Sequence, residues 1–250
     1  MVLDHREYQK MSSQGNVAIL FIHGILGSPR HFDPFLPYVP SDWSVRCLLL
    51  DGHGKSVQDF SYSSMKRWRQ QVSTVVEELS AGHEKVLVVG HSMGALFAIE
   101  QAVSHPEAVE GIFLLAAPLR VRLRLRIVPY LLRVWRNKPK KDDPVSLAFL
   151  QACSIQQDWR VWRYLGWIPR FWELLMQIRR TRKLLPQLQV PGIAVQSRDD
   201  ELVGFSACRD LKDRLQVQVL ENSAHFYYSQ EDFAQIQAAF TDFCQKNGKG

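Results

Sequence analysis

Long apolar runs are missing from this chain of 250 residues. The longest ones, at 17–22 and 112–117, are far shorter than the roughly 20 residues that a membrane-spanning helix requires. The first ten residues include Asp4, Arg6 and Glu7, where a signal peptide needs an uninterrupted apolar core. We therefore expect neither a membrane span nor an export signal.

Cysteine is scarce and scattered. The four cysteines, Cys47, Cys153, Cys208 and Cys244, show neither C-x-x-C spacing nor the dense pattern of a disulfide-stapled protein. None of them adjoins a histidine in a metal-ligand pattern. These absences favour reduced thiols in a cytoplasmic protein that has no metal site and no other cofactor.

The composition is that of an ordinary packed protein. Hydrophobic residues make up 46% of the chain and charged residues 22%, which disfavours disorder. Short β-branched runs alternate with longer helical patterns, which is typical of an α/β fold with a mostly parallel central sheet and helices on both faces. The predicted strands are 17–22, 45–50, 85–89, 111–116, 192–196 and 216–220. The predicted helices are 29–38, 64–79, 93–104, 206–214 and 231–244.

One long interval breaks this alternation, because about seventy residues without a predicted strand separate the fourth strand from the fifth. We expect an α/β core made of residues 1–118 and 187–250, with an inserted segment at 119–186 that is called the insertion below. The insertion holds five of the seven tryptophans, and 16 Lys and Arg residues against 4 Asp and Glu. Its net charge of +12 exceeds the +6 of the whole chain, so the rest of the chain is negative.

The strongest chemical signal is the pentapeptide Gly90-His91-Ser92-Met93-Gly94, a G-x-S-x-G pattern. It lies between a predicted strand and a predicted helix, which is the context that a nucleophilic serine at a sharp turn requires. Glycines at both ends let the turn close tightly while the serine takes a strained backbone conformation. The pattern therefore predicts that Ser92 is a nucleophile.

A serine hydroxyl needs a histidine to take its proton and a carboxylate to orient that histidine. Only His105 and His225 follow Ser92 in the chain. His105 lies at the end of the helix that follows Ser92 and is expected to point away from the site. His225 follows the last predicted strand, so its loop can return to the same edge of the sheet. We therefore predict His225 as the base.

The carboxylate is expected in the loop after the predicted strand at 192–196. That loop offers Asp199, Asp200 and Glu201 in a row. We interpret Glu201 as a solvated loop charge. The two aspartates stay as alternatives, because a pattern does not fix the register of a loop to one residue.

Two backbone N–H groups are expected to stabilise negative charge on a substrate oxygen. One belongs to Met93, at the start of the helix after Ser92, and the other to Ile25, in the loop after the first predicted strand. We expect His23 to order this loop by hydrogen bonding. A structural role is also favoured for His53, in a second tight turn.

These motifs together resemble a known family, the bacterial carboxylesterases and monoacylglycerol lipases of the α/β-hydrolase superfamily. The resemblance rests on His23-Gly24-Ile25, Asp51-Gly52-His53-Gly54, Gly90-His91-Ser92-Met93-Gly94, Asp200 and His225, and it covers nearly the whole chain outside the insertion. It implies the α/β-hydrolase fold, an insertion that acts as a helical lid, and hydrolysis of carboxylic esters through an acyl-enzyme. It also favours Asp200 over Asp199, since the family pattern places the acid shortly before an apolar pair.

The expected substrate is a small ester or a lipid, and two rival functions are considered. A thioesterase or carrier-protein ester hydrolase would use the same three residues. A noncatalytic ligand receptor is disfavoured, because nucleophile, base, acid and both N–H donors are all present in the sequence. The oligomeric state is not indicated by any pattern.

The insertion has several interpretations. Its tryptophans pack it onto the core, or its apolar underside forms an acyl pocket. Its basic outer face contacts an anionic membrane surface or an acidic partner such as acyl carrier protein. Nucleic acid is not an expected partner, because no binding motif accompanies the charge. The alternation of basic and apolar residues at 119–128 fits either a strand or a lid helix.

Overall fold

The computed structural model describes residues 5–13, 15–121 and 143–248. Most of the alternating segment at 119–128, and Trp135, lie outside these residues. In the part of the chain that is described, no helix is both long and apolar enough to cross a bilayer. The cytoplasmic location expected from the sequence stays a prediction.

A seven-stranded sheet forms the centre of the described molecule. Its strands are β1 (Tyr8–Lys10), β2 (Val17–Ile22), β3 (Ser44–Leu48), β4 (Lys85–His91), β5 (Val109–Leu115), β6 (Gly192–Ser197) and β7 (Gln216–Leu220). They are arranged in the order β1-β3-β2-β4-β5-β6-β7. Strand β1 pairs with β3 antiparallel, and every other pair is parallel. The predicted fold class, α/β with a mostly parallel sheet, is confirmed.

Seven α-helices accompany the sheet in the described residues. They are α1 (Val57–Tyr62), α2 (Met65–Gly82), α3 (Met93–Ser104), α4 (Pro144–Ala152), α5 (Trp167–Leu184), α6 (Ala207–Leu211) and α7 (Gln230–Gly248). The helix predicted at 29–38 is wrong: the segment forms two 3₁₀ turns, Pro29–Phe32 and Leu36–Tyr38. Pro34 and Pro37 have no backbone N–H to donate to a carbonyl four residues earlier, so a continuous α-helix cannot form there.

Outside the insertion, one strand and one α-helix of the described residues were not predicted. The edge strand β1 has only three residues and pairs along one side, so no periodic pattern marks it. Helix α1 has six residues and begins with a capping box, in which the side chains of Ser56 and Asp59 each accept from the other's backbone N–H.

Helices cover both faces of the sheet because its central strands are apolar on both sides. All six side chains of β2 are buried, which is typical of a strand inside a parallel sheet. Leu20, Val88 and Leu114 belong to one buried cluster, which also contains residues of α2 and α3. Phe21 and Phe113 belong to the other, with residues of α7.

The described part of the insertion is helical. It contains α4, a 3₁₀ helix at Val161–Gly166 and α5. Helix α5 is joined to α3 through Glu100, whose buried carboxylate accepts hydrogen bonds from Gln177 Nε2 at 3.0 Å and Arg180 Nε at 3.0 Å. Arg69 of α2 binds the same carboxylate at 2.7 Å. The boundaries expected for core and insertion stay a prediction.

Candidate active site

The site begins with a sharp turn between β4 and α3. Ser92 lies at this turn with φ +52° and ψ −119°, a backbone conformation that residues other than glycine rarely adopt. Its N–H donates to the Leu115 carbonyl of β5 at 2.9 Å, and its carbonyl accepts from the Ala95 N–H at 2.9 Å. A Cβ added to Gly94 would lie 1.9 Å from the Ile22 carbonyl oxygen, so α3 can pack this closely on β2 only with glycine there.

The structure brings three of the predicted side chains together at the carboxyl edge of the sheet. His225 Nε2 lies 3.0 Å from Ser92 Oγ. His225 Nδ1 lies 2.8 Å from Asp200 Oδ2. His225 and Asp200 are each 1% exposed, and Ser92 is 7% exposed. The serine is therefore the most accessible member of a buried hydrogen-bonded chain.

The loop after β6 separates the two candidate aspartates. Asp200 is buried, and its second oxygen, Oδ1, accepts from the N–H groups of Leu202 and Val203 at 2.8 Å each. These bonds hold the carboxylate so that its other oxygen faces His225. Asp199 is exposed to solvent.

Glu201 is not the solvated charge that the sequence suggested. It is 2% exposed, and its Oε2 accepts from the backbone N–H of His225 at 3.0 Å. The His225 carbonyl in turn accepts from His91 Nε2 at 3.0 Å. The backbone of His225 is therefore bonded on both sides, a role that sequence reasoning missed for Glu201 and His91. The only signal was their placement, one beside the candidate acid and the other beside the nucleophile.

The two segments that carry the predicted N–H donors pass beside the serine. Met93 is the first residue of α3, and the first N–H groups of a helix have no carbonyl partner within it. A Cβ added to Gly24 would lie 2.9 Å from the Ser92 Cβ, so the loop that carries Ile25 passes directly beside the serine. The next residue, Leu26, has φ +60°.

Two buried histidines hold this loop. His23 Nδ1 donates to the Gly24 carbonyl at 2.8 Å, and its Nε2 accepts from the Leu50 N–H at 3.1 Å. His53 Nε2 accepts from the Leu26 N–H at 3.2 Å. Burial lowers the pKa of His53 to about 4. Burial, and the neighbouring His53, hold the pKa of His23 well below its usual range. Both rings are therefore neutral hydrogen-bonding groups near pH 7.

The bonding of His225 fixes which of its nitrogens carries the proton. A carboxylate only accepts, so Nδ1 donates to Asp200 and Nε2 is left to accept from the Ser92 hydroxyl. In this arrangement the serine proton can move to Nε2 while the Asp200 carboxylate stabilises the imidazolium that results. The geometry can therefore generate a nucleophilic serine oxygen.

Comparison with known proteins agrees with this architecture. The model of the alpha/beta hydrolase family matches residues 19–236, which is most of the chain. The chain belongs to the alpha/beta hydrolase family. The family resemblance predicted from the motifs is therefore confirmed.

Individual relatives are more distant. The chain is 32% identical over 110 residues to protein PHYLLO, chloroplastic, of Arabidopsis thaliana, which covers 40% of this chain and 6% of that protein. It is 27% identical over 97 residues to a thermostable monoacylglycerol lipase of Bacillus sp. strain H-257, which covers 38% of this chain and 39% of that protein. The alignments thus span well under half the length of these curated relatives.

A solved structure extends the similarity of fold to nearly the full chain. A structure from work on LipS and LipT, two metagenome-derived lipolytic enzymes, superposes with a TM-score of 0.73 at 20% identity. The match covers 97% of this chain and 98% of that one. At this level of identity the comparison establishes the fold.

Proposed function

We propose that this protein is a serine hydrolase of carboxylic esters that acts through an acyl-enzyme, with Ser92 as nucleophile, His225 as general base and acid, and Asp200 as the orienting acid. One observation carries the proposal. Ser92 Oγ lies 3.0 Å from His225 Nε2, and Nδ1 of the same ring is bonded to the buried carboxylate of Asp200. In this family of folds such a chain of bonds is the arrangement needed for acyl transfer.

In the first step Ser92 Oγ attacks the ester carbonyl carbon. Its proton passes to His225 Nε2, and the carbonyl oxygen becomes an oxyanion that accepts from the N–H groups of Ile25 and Met93. The carbon–oxygen bond to the alcohol then breaks. The alcohol leaves with the proton from Nε2, and the acyl group stays on Ser92.

In the second step water takes the place of the alcohol. His225 Nε2 removes a proton from the water, whose oxygen attacks the acyl carbon and forms a second oxyanion at the same N–H donors. The bond to Ser92 Oγ breaks, and the serine recovers its proton from Nε2. The products are the carboxylic acid and the free enzyme.

The substrate class that we propose is short to medium acyl esters, including monoacylglycerols. The support comes from the name of the Bacillus relative and from the motifs shared with such enzymes. A thioester is attacked by the same chemistry, so the substrate panel must include one.

The proposal is tested by replacing the nucleophile. Ser92→Ala should abolish turnover of a p-nitrophenyl ester and labelling by a fluorophosphonate, because the variant lacks the hydroxyl that forms the acyl-enzyme. The fold should survive, since Ser92 lies at a turn and its removal opens no core cavity. Activity is measured on p-nitrophenyl esters of rising chain length, a monoacylglycerol and an acyl thioester.

The matched control is Ser63→Ala, which removes a buried serine hydroxyl that donates to Asp51 and not to His225. It should keep both labelling and turnover. Labelling of the Ser92→Ala protein at another serine would refute the assignment. Rates on the thioester far above those on every oxygen ester would replace esterase by thioesterase as the proposed function.

A further inference from the structure

The outer surface of the insertion exposes an unusual amount of apolar side chain. Eight of the twelve large apolar side chains that are exposed in the described residues lie in 159–175. They are called the aromatic surface below and comprise Trp159, Val161, Trp162, Leu165, Ile168, Phe171, Trp172 and Leu175. Trp159 is 77% exposed and Trp172 is 61% exposed. In the described residues these two side chains therefore face solvent, whereas Trp167 packs against Phe60 of the core.

The same face of α5 changes from apolar to basic along the helix. Ile168, Trp172 and Leu175 are separated by three or four residues and so lie on one side of the helix. Arg179 and Arg182 continue that row toward the carboxyl end. At about 1.5 Å per residue, the row extends roughly 21 Å from its first apolar to its last basic residue.

The basic end of the row belongs to a larger cationic groove. Arg179, Arg182 and Lys183 line this groove together with Arg209 and Arg214. Its two carboxylates, on Asp210 and Asp213, are outnumbered, and Asp210 is bonded to Arg120 at 2.8 Å. The groove therefore presents a net positive charge beside the aromatic surface.

The inner face of α5 packs against the core. Gln177, Ile178 and Thr181 are buried, and Glu100 of α3 binds Gln177 and Arg180. Helix α5 is thus held with its aromatic and basic row facing outward.

The turn before α5 is also fixed. Asp158 accepts from Arg160 at 2.9 Å and from Arg163 at 2.6 Å, and these partners lower the pKa of its carboxyl group. The rings of Trp159 and Trp162, which belong to the same segment, lie 5.8 Å apart. The two tryptophans therefore form one contiguous apolar patch.

We propose that this face of the insertion docks on an anionic lipid bilayer. The aromatic surface enters the headgroup region, where tryptophan is favoured, and the basic residues at the end of α5 contact lipid phosphates. The charge of the described residues supports this orientation, because 143–186 carry seven Lys and Arg against three Asp and Glu, while the chain outside the insertion is negative. An acidic carrier protein would match the charge alone and would leave the aromatic surface in water. This docking would place the proposed ester hydrolase at a membrane surface, but it rests on residues other than those of the candidate active site.

Binding is tested by cosedimentation of the whole protein with vesicles of phosphatidylcholine, alone or mixed with phosphatidylglycerol. Ser92→Ala should bind like the wild type, which separates docking from hydrolysis. Binding should require phosphatidylglycerol and weaken with salt, because exposed charges are screened beyond a Debye length of about 8 Å at physiological ionic strength.

The charge is tested with the double variant Arg179→Gln and Lys183→Gln. Two cations near an anionic surface contribute roughly thirtyfold to the partition coefficient, and that factor should be lost. The matched double variant Lys66→Gln and Lys246→Gln removes two exposed lysines of α2 and α7 and should bind like the wild type.

The aromatic surface is tested with Trp162→Ser and Trp172→Ser together. Binding should fall by about tenfold or more, and salt should not rescue it, since the lost contribution is apolar. The control, Tyr8→Ser with Met11→Ser, removes two exposed apolar side chains near β1 and should have no effect. Both double variants in the insertion should hydrolyse a water-soluble p-nitrophenyl ester at the wild-type rate.

Three results would overturn the proposal. The first is equal binding to vesicles with and without phosphatidylglycerol. The second is no vesicle binding by a protein that hydrolyses the soluble ester, which would leave the proposed function intact. The third is salt-sensitive binding to acyl carrier protein without vesicle binding, which would assign the basic surface to a carrier.

Discussion

At the residue scale, the orientation of one histidine ring depends on contacts from several parts of the chain. Asp200 bonds the His225 ring, Glu201 bonds its backbone N–H, and His91 bonds its carbonyl. Asp200 and Glu201 come from the loop after β6, and His91 is the last residue of β4. The position of His225 is therefore determined by residues at the carboxyl edge of the sheet and not by its own loop.

The two neighbouring aspartates should behave differently on substitution. Asp200→Asn should lower kcat for a p-nitrophenyl ester by orders of magnitude, on the scale of ~10⁴ for the equivalent change in a serine protease, because the amide favours the wrong histidine tautomer. Asp199→Asn, at the exposed position beside it, is the matched control and should change kcat little. A larger effect at Asp199 would mean that the acid has been assigned one residue too late.

Glu201 should act as a positioning residue. Glu201→Ala leaves the buried His225 N–H without its acceptor, and the resulting displacement of the ring should lower kcat by about ten- to a hundredfold with little change in KM. Glu201→Gln keeps an oxygen that can accept and should restore most of kcat. Steady-state kinetics of both variants, with thermal unfolding to report stability, tests this. If the two variants lose equal activity, the carboxylate charge matters and not the hydrogen bond.

At the element scale, the approach of α3 to β2 decides where the turn with Ser92 can stand. The helix begins directly after Ser92, and its second residue, Gly94, lies against the Ile22 carbonyl. The helix also anchors α5 through Glu100. A single helix therefore positions both the nucleophile and the outward-facing row of the insertion.

Two glycine substitutions test the importance of this contact. Gly94→Ala places a Cβ 1.9 Å from the Ile22 carbonyl oxygen, so α3 must move, and we expect both a lower free energy of unfolding and a loss of activity. Gly82→Ala, at the end of α2, has no atom within 4 Å of the added Cβ and should be neutral or stabilise by up to about 1 kcal/mol. Urea unfolding and ester hydrolysis distinguish the two. Equal behaviour would contradict the packing described.

At the scale of the whole molecule, buried neutral histidines make stability depend on pH. His23, His53 and His91 are all at most 1% exposed, and burial lowers the pKa of each below the ordinary 6.5. Below pH 6.5 the unfolded chain binds more protons at these sites than the folded one. The free energy of unfolding therefore falls as pH drops.

The contribution of His53 to this loss of stability in acid can be measured. Its pKa of about 4 in the folded state predicts a loss of about 3 kcal/mol between pH 6.5 and 4. His53→Gln should be less stable than the wild type near neutral pH, because Leu26 and Leu50 lose a bonded ring. Its stability should fall less steeply with acid, by up to about 1.4 kcal/mol per pH unit. Urea unfolding across this pH range measures both slopes, and equal slopes would refute the assignment.

The sequence alone determined the parallel strands β2 to β7, the helices α2, α3, α6 and α7 and the turn at Ser92, because these follow from local apolar period and from two glycines four residues apart in the chain. It failed at 29–38, where two prolines divide an otherwise helical pattern into 3₁₀ turns. It could not tell Asp199 from Asp200 by pattern, nor see that Glu201 and His91 hold His225. Only the tertiary structure decides these contacts, because the residues involved are 24 to 134 positions apart and meet where the parallel strands end together. The outward direction of Trp172 was likewise decided by packing, since the buried inner row of α5 leaves its outer row in solvent, whereas Trp167 packs against Phe60.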